Sequence, residues 1–269
     1  TSRPSATVQL RKCWEISRHI EVLGFTEKDI TDYIQNALSP QELPAFHSYL
    51  STYPNIRLSM YIPLNCAIVV EVYRSCQQSS RPPPTTTTEL YTCLVQTILL
   101  RYLDSHPDYK DDTNVSKFTD LPPPVYQHFC KLIQMAYDGV QSQQLTFHDL
   151  DKTIEHLGFM DTVAELFPTK RYSCNFLHLS LQEYLAAYYV SLKSMDEQQQ
   201  LLRTMCTEQH LQNMGKFLAG ITKYKGMDRA TVKAIIEQGC KKGSGGKLEL
   251  SSYTLQLIHE SGDYNIIDG

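Results

Sequence analysis

The stretch from Asn175 to Leu192, NFLHLSLQEYLAAYYVSL, constrains this chain more than any other. Tyr172, Cys174, Phe176 and His178 alternate onto one face of an extended segment, which reads as a short strand. Ser180 then opens a helix. It stands three residues before Glu183, the spacing at which each side chain satisfies the other's free backbone N–H. Leu179 and Tyr184 are placed to staple that helix start. Leu181, Leu185, Tyr188 and Leu192 recur at spacings of four, three and four, giving one buried stripe. His178 falls just ahead of the helix N-terminus, where free N–H groups and partial positive charge collect. A histidine there can donate to an anion, most commonly a phosphate. The plainer reading is a ring bonded to a neighbouring carbonyl.

At 269 residues the chain can bury a sizeable core and hold two or three small domains. Its 42% hydrophobic and 20% charged content is that of a folded protein, not a disordered one. A net charge of −4 disfavours nucleic acid as a partner. The eight cysteines are scattered, with no C-x-x-C, so neither a disulfide framework nor a zinc knuckle is expected and the setting reads as reducing and cytoplasmic. No apolar run approaches the roughly 20 residues that span a bilayer. The start, TSRPSATVQLRKC, is not a signal peptide. It also lacks an initiator methionine, so a piece of a longer protein is expected.

In chain order, residues 1–25 read as the tail of an α/β domain, with a short helix over Ala6–Cys13 and a strand over His19–Leu23. Thr26 and Asp29 cap a helix over 26–38, whose Ile30, Tyr33, Ile34, Ala37 and Leu38 share a face. A further helix covers Gln41–Thr52. Pro63 suits the first turn of a buried helix, where a missing N–H costs nothing. SSRPPPTTTT, residues 79–88, is a proline-stiffened surface loop. Thr86 and Glu89 cap a long helix to about Leu103. The polar run His106–Asp120 reads as a linker. Helices are then expected over Val125–Tyr137 and Leu145–His156, the second capped by Thr146 with Asp149. Two wing strands follow, Glu165–Phe167 and Tyr172–His178, joined by Pro168–Arg171. With the opening stretch these make a winged helix. Further helices are expected over Glu197–Cys206, Leu211–Ile221, Ala230–Gln238 and Leu250–His259. The fold class is therefore mainly α: a helical domain, a winged-helix domain with a small β-hairpin, and a second helical domain, preceded by a remnant of an α/β core.

The pattern F-L-H-L-S-L-Q-E-Y-L-A-A, residues 176–187, resembles the end of the winged helix in NACHT-type NTPases, the NOD-like receptor family of animal innate immunity. T-S-R-P at 1–4 resembles the family's sensor-1 segment. V-L-G-F with the helix after it resembles the passage from the nucleotide-binding core into helical domain 1. M-Y-I-P-L-N-C and T-E-L-Y resemble helical domain 1 itself. M-G-K-F-L-A-G-I-T-K-Y-K resembles helical domain 2. The resemblance covers nearly the whole chain, in family order. It implies residues 1–25 as the end of the nucleotide-binding core, 26–105 as helical domain 1, 106–122 as a linker, 123–193 as the winged helix and 194–269 as helical domain 2. It further implies that His178 contacts the β-phosphate of ADP, that Pro63 packs on the adenine ring and that Arg3 lies near the γ-phosphate position. ADP and ATP would be bound only together with an upstream core. The function implied is the regulatory half of a signalling STAND NTPase, which closes over ADP and controls oligomerisation through the full module. Leucine-rich repeats and a signalling domain would be its partners in the parent protein.

Other chemistries are excluded by spacing. K-G-S-G-G-K, residues 242–247, lacks the first and last positions of G-x-x-x-x-G-K-[ST], and no acidic Walker B strand is visible. The chain is therefore not expected to be an enzyme on its own; the parent would be a slow ATPase switch. There is no G-x-S-x-G and no H-E-x-x-H, and the nine histidines lack metal-ligand spacing, so no catalytic or metal site is expected. A winged helix raises the question of DNA. The expected second helix carries Asp149, Asp151 and Glu155 against Lys152, and phosphates would repel it. The alternative function is a stand-alone helical interaction module without nucleotide binding.

Overall fold

The computed structural model describes residues 24–109, 115, 117–148, 150–165, 171–223, 225, 227, 229–238, 241–242, 248–249 and 251–262. Arg3 and the expected α/β remnant, Gly24 and Phe25 apart, lie outside the described residues, as does most of K-G-S-G-G-K. What is described is mainly helical with a small antiparallel sheet, the class expected from the sequence.

The described residues begin with five helices: α1 (Glu27–Ala37), α2 (Leu43–Thr52), α3 (Pro54–Ser59), α4 (Pro63–Gln78) and α5 (Thr87–Ser105). α1 starts where its cap dictates. The Asp29 N–H donates to Thr26 Oγ1 at 3.2 Å, and the Thr26 N–H donates to Asp29 Oδ2 at 2.8 Å. Its buried face is Ile30 and Ile34, four apart, as the period requires. α4 begins at Pro63, whose ring needs no N–H partner in the first turn. These helices close on a first core that includes Phe46, Tyr49, Ile56, Met60 and Val69 and reaches Leu90.

A second core begins one residue later, at Tyr91, and runs to Ile258. It is built by α6 (Pro123–Gln141), α8 (Leu179–Ser191), α9 (Met195–Thr207), α10 (Gln212–Thr222), α11 (Arg229–Gln238) and α12 (Ser252–Ser261). The segment expected as a plain linker contributes to it, since Val115, Phe118 and Leu121 are buried there. Phe118 meets the Tyr188 ring edge-on at 4.8 Å.

The region expected to be a winged helix departs from its sequence reading in three ways. Leu145–His156 is not one helix. Thr146–His148 forms strand β1, and only Lys152–Glu155 is helical, as α7, capped by Asp151. Phe147 is buried while His148 is exposed, an alternation of period two that defeats the helical one. The two strands expected as a wing are β2 (Met160–Glu165) and β3 (Arg171–Phe176), so β2 lies earlier than expected and the hairpin gains a third strand. The order is β1-β3-β2, all antiparallel, with Cys174 opposite both Phe147 and Thr162. Finally, α8 starts at Leu179, not Ser180, and is buried on most sides instead of along one stripe. Leu181, Tyr184, Leu185, Ala186, Ala187 and Val190 are all buried, because α6 and α10 sandwich it. Leu192, the last residue of the expected stripe, is half-exposed. A two-stranded ribbon, β4 (Lys241–Lys242) with β5 (Leu248–Glu249), precedes α12.

Candidate functional site

His178 sits where β3 hands over to α8, and it is the N-cap itself. Its backbone is extended, and its Nδ1 accepts the Ser180 N–H at 3.2 Å. Its carbonyl accepts from Leu181 and Gln182 at 3.1 and 3.2 Å. The capping box expected between Ser180 and Glu183 is therefore replaced. Glu183 is drawn into the core, where it accepts a hydrogen bond from Asn213 of α10. A ring nitrogen that accepts carries no proton, so the neutral imidazole is the tautomer with hydrogen on Nε2. The cap thus fixes Nε2–H as the donor.

Pro63 occupies the first turn of α4 and is exposed. The structure brings the neighbours of Pro63 and His178 to one cleft. Ile62 and Asn65 on one side and Ser180 on the other line a cavity of about 700 Å³, although neither Pro63 nor His178 itself is on its wall. The remaining walls come from α3, α5, α10 and α12, through Leu58, Thr87, Tyr91, Lys216, Phe217 and Glu260 among others. No spacing in the sequence announces this cleft, because its residues are spread from position 55 to position 260.

Its floor is a run of paired polar groups on aromatic packing. The Tyr91 hydroxyl donates to Asn65 Oδ1 at 2.9 Å. Burial pushes the Tyr91 phenol up to about 12, with a hydrogen bond from Ser180 opposing the shift. Tyr91 also packs on Phe217 at 5.0 Å between ring centroids, and Phe217 meets Tyr184 edge-on at 5.4 Å. Lys216 brings an ammonium to the cleft wall. Burial holds it below the usual lysine range, and the carboxylates of Glu183 and Glu260 act against that shift.

Above the floor the helices meet closely. A Cβ on Gly220 of α10 would stand 2.2 Å from Thr88 Oγ1, so only glycine lets α10 approach the start of α5. There Glu260, from α12, reaches the first turn of α5. Its Oε1 accepts from the Thr87 N–H at 3.2 Å, and its Oε2 accepts from the Thr88 N–H at 2.8 Å and the Thr88 hydroxyl at 2.6 Å.

Among the described residues no group of histidine, cysteine and carboxylate side chains could hold a metal ion. None of the described helices is long and apolar enough to cross a membrane. The six described cysteines are unbridged.

No family model matches the chain. Curated relatives do. Over 243 residues it is 26% identical to NACHT, LRR and PYD domains-containing protein 3 of Macaca mulatta, which covers 82% of this chain and 22% of the relative. It is 27% identical over 203 residues to NACHT, LRR and PYD domains-containing protein 12 of Homo sapiens, covering 71% and 18%. It is 28% identical over 213 residues to protein 3 of Mus musculus, covering 73% and 19%. The chain spans about a fifth of the length of these relatives.

Proposed function

With this chain a relative of the NACHT-type NOD-like receptors, we propose that it is the regulatory half of a nucleotide-controlled signalling switch. In this reading residues 26–105 and 194–269 are helical domains flanking a winged helix at 123–193. The closed arrangement holds ADP against an upstream nucleotide-binding core, and exchange for ATP releases the winged helix and allows self-association. The energetic basis is a domain interface with two arrangements, biased by unequal nucleotide contacts.

The observation that supports it most is the place of His178 as the N-cap of α8. The ring caps α8 through Nδ1 and so carries its N–H on Nε2, at the positive end of a 13-residue helix. The fit to a diphosphate is specific in kind. The Ser180 and Leu181 amides are already used by His178, so in this proposal the imidazole itself, not an amide cradle, meets the phosphate. The cradle and the magnesium site belong to the upstream core in this proposal, and the chain supplies no catalytic group. Pro63 is assigned to the adenine ring and Arg3 to the γ-phosphate position. Leucine-rich repeats and a signalling domain are proposed as parts of the parent protein, in line with the names of the relatives.

His178→Asn tests this in the complete natural protein. Asparagine is a good N-cap, so α8 keeps its start, while the reach of Nε2–H is lost. Faster ADP release and greater basal self-association are expected, with thermal stability close to that of the native protein. A His178→Asn variant that retains ADP like the native protein and stays monomeric overturns the proposal.

A further inference from the structure

The first turn of α5 is completed from two directions. Four N–H groups at a helix start have no partner within the helix. Here the Leu90 N–H makes the first intrahelical bond, to the Thr86 carbonyl at 3.0 Å, and the Glu89 N–H goes to Thr86 Oγ1 at 3.2 Å, both local. The first two, of Thr87 and Thr88, go to Glu260, which is 173 and 172 residues away. Thr88 is 3% exposed and Glu260 7%, so water replaces neither partner while the contact is closed. The carboxylate also lies at the positive end of a 19-residue helix, where negative charge is favoured. Around it α10 is seated on Thr88 through Gly220, and Lys223 at the end of α10 reaches Glu89 at 3.9 Å.

We propose that Glu260 is a latch: a carboxylate from α12 that completes the N-terminus of α5 and thereby holds the C-terminal helices closed on the N-terminal ones. Its position suits the task. The latched residues, Thr87 and Thr88, immediately precede the point where the first core ends at Leu90 and the second begins at Tyr91. Withdrawal of Glu260 strands two amides and a hydroxyl until water enters, so opening is all-or-none at this contact instead of gradual. What the opening serves, release of a surface for self-association, rests on the switch reading above; the latch itself does not.

Three variants of the complete natural protein test it: Glu260→Ala, Glu260→Gln and, as a control, Thr86→Ala. Thr86→Ala removes the local cap of the same helix and leaves the latch in place. Amide hydrogen exchange at Thr87 and Thr88 is expected to rise at least tenfold in E260A and less in E260Q, whose remaining carbonyl oxygen still accepts. Light scattering is expected to show more self-association in E260A than in T86A. Unchanged exchange in E260A overturns the latch. So does an equal rise in exchange at Thr87 and Thr88 in E260A and T86A, because the effect would then be mere fraying of α5; equal self-association beside unequal exchange counts against the switch reading alone. Loss of ADP in E260A is not required, so failure of the latch and failure of the His178 reading are separately visible.

Discussion

The starts of α1 and α5 are chemically alike and structurally opposite. Each has a threonine N-cap with an acidic residue three positions on. At α1 the pair closes on itself, the carboxylate of Asp29 returning to the Thr26 N–H. At α5 the carboxylate of Glu89 turns outward to the Thr85 N–H and hydroxyl, and a remote glutamate takes the first amides. One start is self-sufficient and solvent-facing. The other is complete only when α12 is seated on the start of α5. Capping residues near in sequence therefore report where a helix begins, but not what holds that beginning in place.

The difference is expected to be largest in the variants that remove each cap. Glu260→Ala leaves three donors unsatisfied, the two of Thr88 deeply buried, and should destabilise the fold by about 3 kcal/mol or more, since each buried group costs roughly 1–3 kcal/mol. Gly220→Ala forces a methyl onto the β-branched Thr88 at the same contact, and overpacking of this kind costs about 1–3 kcal/mol. Thr26→Ala removes an exposed local cap and should cost about 1 kcal/mol. Chemical denaturation of the three variants reads all of this. If Thr26→Ala proves as damaging as Glu260→Ala, the contrast between near and remote caps fails.

The smallest effect concerns Lys216. Burial depresses its folded pKa, so between that value and the usual lysine range the unfolded chain binds more protons than the folded one. Stability therefore rises with pH through that window, and the charged amine is a net cost below it. Lys216→Met should flatten this slope and leave the melting temperature at neutral pH equal or slightly raised. A clear drop in melting temperature would show that attraction to Glu183 and Glu260 outweighs the burial.

How much of this is legible in the sequence follows the same division. The α1 box, the proline start of α4 and the Thr86 cap depend on residues within a turn of one another, and all three form. β1 reads as helix in the sequence because three residues cannot declare a strand alone. Thr146–His148 is extended because β3 offers each of its residues a partner 25 to 29 positions away. At α8 the motif places the helix start within one residue, but two acceptors compete for the free amides. His178 wins, and Glu183 is taken by Asn213 of α10. The cleft is not legible at all, since Asn65, Tyr91, Ser180 and Lys216 meet only through helix packing.

Leu90 and Tyr91 are consecutive residues of α5, yet they serve different cores. No loop separates the two bodies at that point; a rigid rod passes from one into the other. Helical rise puts Ser105 about 22 Å from Leu90, so a tilt of about 10° at the near end would carry the far end about 4 Å. A shift too small to notice around Thr88 thus becomes, by leverage alone, a displacement large enough to unseat side chains at the other end.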